Sequence, residues 1–373
     1  MTIDTPPNVE PGKDAGFRGR RYAPAILAAA AAALLIVLTY LGSRGFRDFD
    51  PALIGYAVAS IFAVAAIVYR YTVWIVRPPT WRYFKAGWVN FFSARNFRRY
   101  TAFIPAAWWR DIFGQTFLLG RSFERWLMHM CISWGVILSC LITFPLTFGW
   151  FRFTLVGLDH YQMWFFGFPL FRFAIQGFVG FCIFHGLDFT ALLLMIGLGI
   201  ALKRRLEDVG LRTTQRFGFD LVPLVLLFAI AITGLALTAS ATWWQGRYYW
   251  FISLTHQVLV VAWLLSLPFG KFFHIFQRPA SIGVTLYQKV NQGLEDGETS
   301  AAQARDLQPA HCKRCQRELP SAQFIEDLKL TLGELGQRYQ LGSPEVLLQD
   351  FCPTCKRILR AQSYYTAAGR KLI

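Results

Sequence analysis

Residues 248–274 read YYWFISLTHQVLVVAWLLSLPFGKFFH. From Tyr248 to Gly270 the run holds no Asp, Glu, Lys or Arg, and it can cross the hydrocarbon core of a bilayer, which takes about 20 helical residues. Five more stretches share this character: Ala23 to Ser43, Pro51 to Val76, Trp126 to Phe151, Phe173 to Leu202 and Leu221 to Gly246, with Arg70 and Asp188 as the interruptions. Lipid offers no partner for free backbone groups, so a spanning chain is helical or a closed barrel. None of the stretches has the ten-residue alternation of a barrel strand, and the predicted fold is an all-α membrane protein with six transmembrane helices.

The composition agrees. Of the 373 residues, 54% are hydrophobic and 17% aromatic, with mean hydropathy +0.36, which excludes a disordered chain or an ordinary soluble domain. Charged residues are only 16% but leave a net charge of +16. The cations therefore crowd into the parts that stay in water and act as a topology signal rather than a nucleic-acid signal. Lys13, Arg18, Arg20 and Arg21 precede the first span, nine Lys/Arg lie between Arg77 and Arg125, and Lys203, Arg204, Arg205, Arg212 and Arg216 mark a third basic segment. The opposite loops balance Arg44, Arg47, Arg152 and Arg172 against Asp48, Asp50 and Asp159 and add Arg247. Both termini are expected on the cytoplasmic side of an inner (cytoplasmic) membrane, with the first span a retained anchor because no small-residue cleavage site follows it.

Histidines carry the chemistry inside the membrane. His129, His185, His256 and His274 lie in or at the ends of spans, where an ionisable side chain is costly, although one alone can be a helix-to-helix hydrogen bond. His256 and His274 are 18 residues apart, about five turns and about 27 Å on one continuous helix. That spacing puts them on one face near opposite membrane surfaces, the placement needed to hang two haems on one helix with a facing imidazole completing each iron. His129, four residues beyond Arg125, matches the depth of His274. His185 matches His256 within helix tilt, and His160, beside Asp159 in an outer loop, is the alternative.

RSFERWLMHMCISWGVILSCLITF (121–144), GLDFTALLLMIGLGIALKRRLED (186–208) and HQVLVVAWLLSLPFGKFFHIFQRP (256–279) resemble the membrane cytochrome b subunits of the respiratory nitrate reductase gamma and heterodisulfide reductase membrane-subunit type. The resemblance covers about residues 120 to 280, and its most specific piece is the last motif. It implies a haem-binding four-helix bundle over residues 126–278 that moves electrons between the quinone pool and a cytoplasmic iron–sulfur or flavin subunit. Carried over, His129 and His274 would ligate a haem b on the cytoplasmic side and His256 an outer one. The nitrate reductase pattern has a second His ten residues after the first. Here that position is Ser139, so either His185 substitutes or the outer haem is absent.

Asp188, three residues after His185, is read either as a proton or quinone contact or as a buried packing hydrogen bond. Residues 77–125 alternate aromatics with cations (WRYFKAGWVNFFSARNFRRY, 81–100), which suits amphipathic helices on the inner membrane surface or a docking face for a partner. Residues 279–310 read as a linker. Residues 311–373 carry Cys312-Lys-Arg-Cys315 and Cys352-Pro-Thr-Cys355, two C-x-x-C pairs suited to tetrahedral zinc or a rubredoxin-like iron. Cys131, Cys140 and Cys182 lie within spans and read as small buried hydrophobes. Ser321 is placed to cap a helix carrying Phe324, Ile325, Leu328, Leu332 and Leu335 on one face, and Ser343-Pro344 to start another. Together these features predict a quinone-linked cytochrome b with a cytoplasmic zinc-ribbon- or rubredoxin-like domain. A transporter, or an anchor recruiting a partner through a zinc-binding tail, would leave the paired histidines unexplained.

Overall fold

The computed structural model describes residues 22–76, 78–92, 94–207, 217–283, 309–334, 340–341 and 343–367. The basic N-terminal tail, Arg77, Arg212, Arg216, Leu335 and most of the linker lie outside the described residues. Two compact units divide the chain, one built from residues 22–73 and 103–282, the other from residues 74–102 and 283–373 with the N-terminal tail.

The first unit contains the spans. They are α1 (Ala23–Gly42), α2 (Ile54–Val76, entered through a 3-10 turn at Pro51–Leu53), α5 (Phe123–Thr147), α7 (Gly186–Glu207), α8 (Val222–Thr242) and α9 (Tyr249–Ser266). Each, with its helical extension, is long and apolar enough to cross a membrane, and lipid contact follows from that. Their starts carry local signals: Ser122 accepts a hydrogen bond from the Arg125 N–H at 3.3 Å, and Asp50 accepts one from the Ala52 N–H at 2.9 Å. The basic aromatic segment is helical as expected, as α3 (Pro78–Phe91) and α4 (Ala94–Ala107), followed by a wide turn at Trp108–Phe113.

The tightest helix packing runs in chain order, α5 on α7, α7 on α8, and α8 on α9. Small residues permit the first contact: a Cβ on Gly135 would lie 2.9 Å from the Leu194 Cβ, and one on Gly197 would lie 2.8 Å from the Ile132 backbone nitrogen. Further along the same antiparallel register, Ser139 donates to Thr190 at 2.8 Å. Leu194, Leu198, Leu227, Ala231, Trp263 and Leu264, with Ala59 of α2, form the buried core of the bundle.

Three expectations are corrected. The stretch from Phe173 to His185 is not the start of a span, which begins only at Gly186. The outer loop before it folds as an antiparallel sheet, β1 (Phe151–Val156), β2 (His160–Phe165) and β3 (Phe168–Ala174), followed by a short helix α6 (Phe178–Phe184). The β2–β3 connection is Phe166-Gly167, both at positive φ (49° and 81°), the two-residue turn whose twist matches paired strands. The chain is therefore not all-α. Second, the last span does not run from His256 through His274. It ends at Ser266, turns through Pro268, and becomes helical again through a 3-10 turn at Lys271–Phe273 that leads into an α-helix over residues 274–283. Proline has no N–H to give and its ring crowds the preceding turn. Arg70 of α2 donates to the Pro268 carbonyl, and its guanidinium lies 4.2 Å from the Phe273 ring centre. Third, Ser343-Pro344 opens a strand, not a helix.

The tail belongs to the second unit. A hairpin of β4 (Pro309–His311) and β5 (Glu318–Ser321) leads into α10 (Ala322–Glu334), which begins where Ser321 predicts. A small ladder of β6 (Gln340–Leu341) and β7 (Ser343–Leu347) follows, then α11 (Pro353–Ala367). Ile325 is buried on the core face of α10.

Candidate functional site

At the end where α5 begins and α9 ends, a strap of residues 113–117 lies along α5. Two indoles hold it: Trp134 donates to the Phe113 carbonyl at 3.2 Å and Trp126 to the Gly114 carbonyl at 2.7 Å. Between them Gln115 takes a left-handed backbone conformation (φ 47°, ψ 39°) and buries its side chain. Its Oε1 accepts from His129 Nδ1 at 2.5 Å, and its Nε2 donates to Ser133 Oγ at 3.0 Å. An amide oxygen cannot donate, so the His129 proton sits on Nδ1 and Nε2 keeps its lone pair.

His274 is arranged the same way by different means. Its Nδ1 donates to the Lys271 carbonyl at 2.5 Å, again leaving Nε2 free. His129 is within electrostatic range of both His274 and Arg278, and the Arg278 guanidinium stacks 3.6 Å above the Phe117 ring centre in the strap. His129 and His274 thus both lie at this end of the bundle, and no hydrogen bond among the described residues takes up either Nε2, the condition of imidazoles that ligate a metal. Imidazole is a donor type that a haem iron takes, and this end of the bundle supplies two of them.

The other two histidines are engaged separately. His256 Nδ1 meets Thr233 Oγ1 at 2.9 Å, and the ring lies over Gly234, where a Cβ would come within 3.4 Å of its Cε1. Thr233 spends its own proton on the Ala229 carbonyl at 2.7 Å, so His256 is the donor. His185 stands at the break between α6 and α7 and donates from Nδ1 to Asp188 Oδ2 at 2.8 Å, while Thr238 donates to Asp188 Oδ1 at 2.7 Å. Thr233 and Thr238 are five residues apart on α8, about 7.5 Å in depth and about 140° in direction. Among the contacts of the described residues, none joins His185 to His256. Position 139 is taken up by the α5–α7 contact, where Ser139 donates to Thr190 at 2.8 Å. His160 is hydrogen-bonded to Asp159 at 2.8 Å in the sheet.

Gln115, Thr233 and Thr238 escaped sequence reading. Each is a neutral polar residue whose partner is 14, 23 or 50 residues away, and no local pattern marks it.

In the tail, the sulfurs of Cys312, Cys315, Cys352 and Cys355 all lie within 4.8 Å of one another, and three of the four cysteines are buried. A tetrahedron with metal–sulfur bonds of about 2.3 Å has edges of about 3.8 Å, so the cluster can close on one ion. The Cys315 and Cys352 sulfurs are 3.6 Å apart. The two pairs are held differently. Cys312 and Cys315 form the tip of the β4–β5 hairpin, where Gln316 takes a positive φ of 54°, whereas Cys352 and Cys355 sit at the first turn of α11.

Backbone donors serve the thiolates: the Cys352 N–H points at Cys312 Sγ (3.3 Å) and the Cys355 N–H at Cys352 Sγ (3.5 Å). Burial is the largest influence on Cys312 and opposes its ionisation. The N–H groups of Cys352, Cys315 and Arg314 together outweigh it and bring the thiol down to about 6. Cys352 is lowered mainly by the Cys355 N–H. Burial, with the neighbouring sulfurs, pushes Cys355 up to about 12. Asp350 braces the cluster, accepting from Lys329 at 2.9 Å and the Leu347 N–H at 3.0 Å, with Lys313 at 3.6 Å.

Compared with family models, with curated proteins and with solved structures, the chain finds no match in any of the three.

Proposed function

We propose that the chain is a membrane cytochrome b that passes electrons between the quinone pool and a cytoplasmic iron–sulfur or flavin partner. One observation carries the reading: His129 and His274, from opposite ends of the bundle sequence, lie at one end of it with Nδ1 bound to a carbonyl oxygen and Nε2 free. That supports one haem b there. A bound haem would supply one-electron transfer. The protein's part is to hold both imidazoles neutral and aimed, through Gln115 on one side and the Lys271 carbonyl on the other. The basic segments support a cytoplasmic orientation for this end, in an inner membrane with both termini inside. His256 and His185 face different partners, so a second haem is not part of the proposal. The His185–Asp188–Thr238 chain instead offers a protonatable contact for quinone near the opposite surface.

For the tail we assign zinc over iron. Its sulfurs join a hairpin tip to a helix start and brace α10 through Asp350, which is the work of a structural clip. No nucleic-acid role is proposed. The deciding experiment is a reduced-minus-oxidised spectrum of the purified chain, with His129→Ala and His274→Ala beside it. A low-spin haem lost in both variants is expected. A colourless protein would favour the anchor or transporter class and end the cytochrome reading.

A further inference from the structure

We propose that Gln115 is the positioning residue of His129, selecting the tautomer that presents Nε2 to a ligated metal. The geometry is built around this amide. Trp126 and Trp134, both on α5, each hold a strap carbonyl immediately before Gln115, at Gly114 and Phe113. The Gly114 N–H donates back to the Trp109 carbonyl at 2.8 Å and closes the preceding turn. A glutamine in the left-handed region is strained where a glycine would not be, and the strain persists only if surrounding contacts impose it. Here they aim one side chain at two polar atoms of α5, one turn apart, His129 Nδ1 and Ser133 Oγ. The Ser133 contact fixes which end of the amide faces the imidazole, because the amide nitrogen donates to the hydroxyl and the oxygen is left for the ring. Ser133 in turn donates to the Met130 carbonyl at 3.3 Å, so its hydroxyl is an acceptor toward Gln115.

The choice of an amide has a chemical consequence. A carboxylate behind a ligating histidine strengthens the imidazole as an electron donor, and a neutral oxygen does so less. Gln115 thus sets His129 as a weaker donor than a carboxylate would. His185 has such a carboxylate in Asp188. This second part rests on the cytochrome reading, whereas the tautomer does not.

The test uses the full chain in liposomes, labelled with nitrogen-15 at histidine, at a pH where the imidazoles are neutral, with His129→Ala to assign the signal. The natural chain should show His129 protonated at Nδ1. Gln115→Leu should shift it toward the Nε2–H form, and Ser133→Ala, which frees the amide to turn, should shift it part of the way. In haem-loaded protein, Gln115→Glu should lower the midpoint potential and keep the spectrum low-spin. If Gln115→Leu does not fold, the Gln115→Glu potential carries the test. An unchanged Nδ1–H signal in Gln115→Leu, or an unchanged potential in Gln115→Glu, would overturn the assignment. A chain that binds no haem would instead remove the cytochrome reading and leave the tautomer result to decide Gln115.

Discussion

Replacing Gly197 by Ala should pry α5 from α7, and the size of the effect follows from three distances. The added Cβ would lie 2.7 Å from Ile132 Cγ1, 2.8 Å from Ile132 N and 2.9 Å from Cys131 Cβ. Carbon contacts are normally about 3.5–4.0 Å, so the helices must part by roughly 0.8 Å. Ile132 N is main chain, and no change of rotamer moves it away. The Ser139–Thr190 hydrogen bond, 2.8 Å long and two turns further along the same interface, would stretch to about 3.6 Å and be lost. Overpacking costs about 1–3 kcal/mol, and an interhelical hydrogen bond in a membrane adds about 0.6 kcal/mol. The sum is about 1.6–3.6 kcal/mol, roughly 15- to 450-fold in the unfolding equilibrium. Unfolding in mixed micelles titrated with a denaturing detergent measures it, and a double-mutant cycle isolates the mechanism. Ser139→Ala should cost about 0.6 kcal/mol in the natural chain and nothing beside Gly197→Ala. A Gly197→Ala protein as stable as its parent, or a Ser139→Ala cost that survives in the double variant, would refute the packing argument.

Cys312→Ser should abolish stoichiometric metal and expose the tail to limited proteolysis, read by elemental analysis and fragment mapping; full metal content would remove Cys312 from the site. Asp350→Asn keeps the Leu347 N–H contact but loses the charge facing Lys329 and Lys313, and should destabilise the tail by about 1.5–3 kcal/mol in a denaturant titration. Burial raises the Asp350 carboxyl, but Lys329, the Leu347 N–H and Lys313 together hold it below the usual carboxylate range. Its stabilising contribution is therefore fully present above about pH 4 and falls away as the pH drops through the folded value. The natural tail should lose stability across that acid window and the Asn variant should lose less. Arg70→Leu removes the donor at the Pro268 carbonyl and the cation over Phe273, and should cost about 1–3 kcal/mol and, on the proposed cytochrome reading, release the haem held by His274. Retained haem and an unchanged melting temperature would mean that the break at Pro268 holds His274 without Arg70.

The parts that local composition encodes were readable from the sequence. Six apolar runs become six helices because a bilayer-length run of apolar side chains leaves the backbone no other way to satisfy its hydrogen bonds. The four cysteines gather because each C-x-x-C carries its spacing within one turn of chain. Even the basic aromatic segment is helical as its pattern implies. Two local signals were present but outweighed. Pro268 marks the end of α9, yet the 18-residue spacing of His256 and His274 suggested one continuous helix. Phe166-Gly167 marks a hairpin inside the segment read only as an outer loop. What only the tertiary structure decided is which polar atom faces which. Gln115 finds His129 because two tryptophans pin the strap, and Thr238 finds Asp188 across 50 residues of chain because α7 and α8 pack in one register. The direction in which a side chain points at such a contact is set by the packing of distant helices, and periodicity within any one of them carries no record of it.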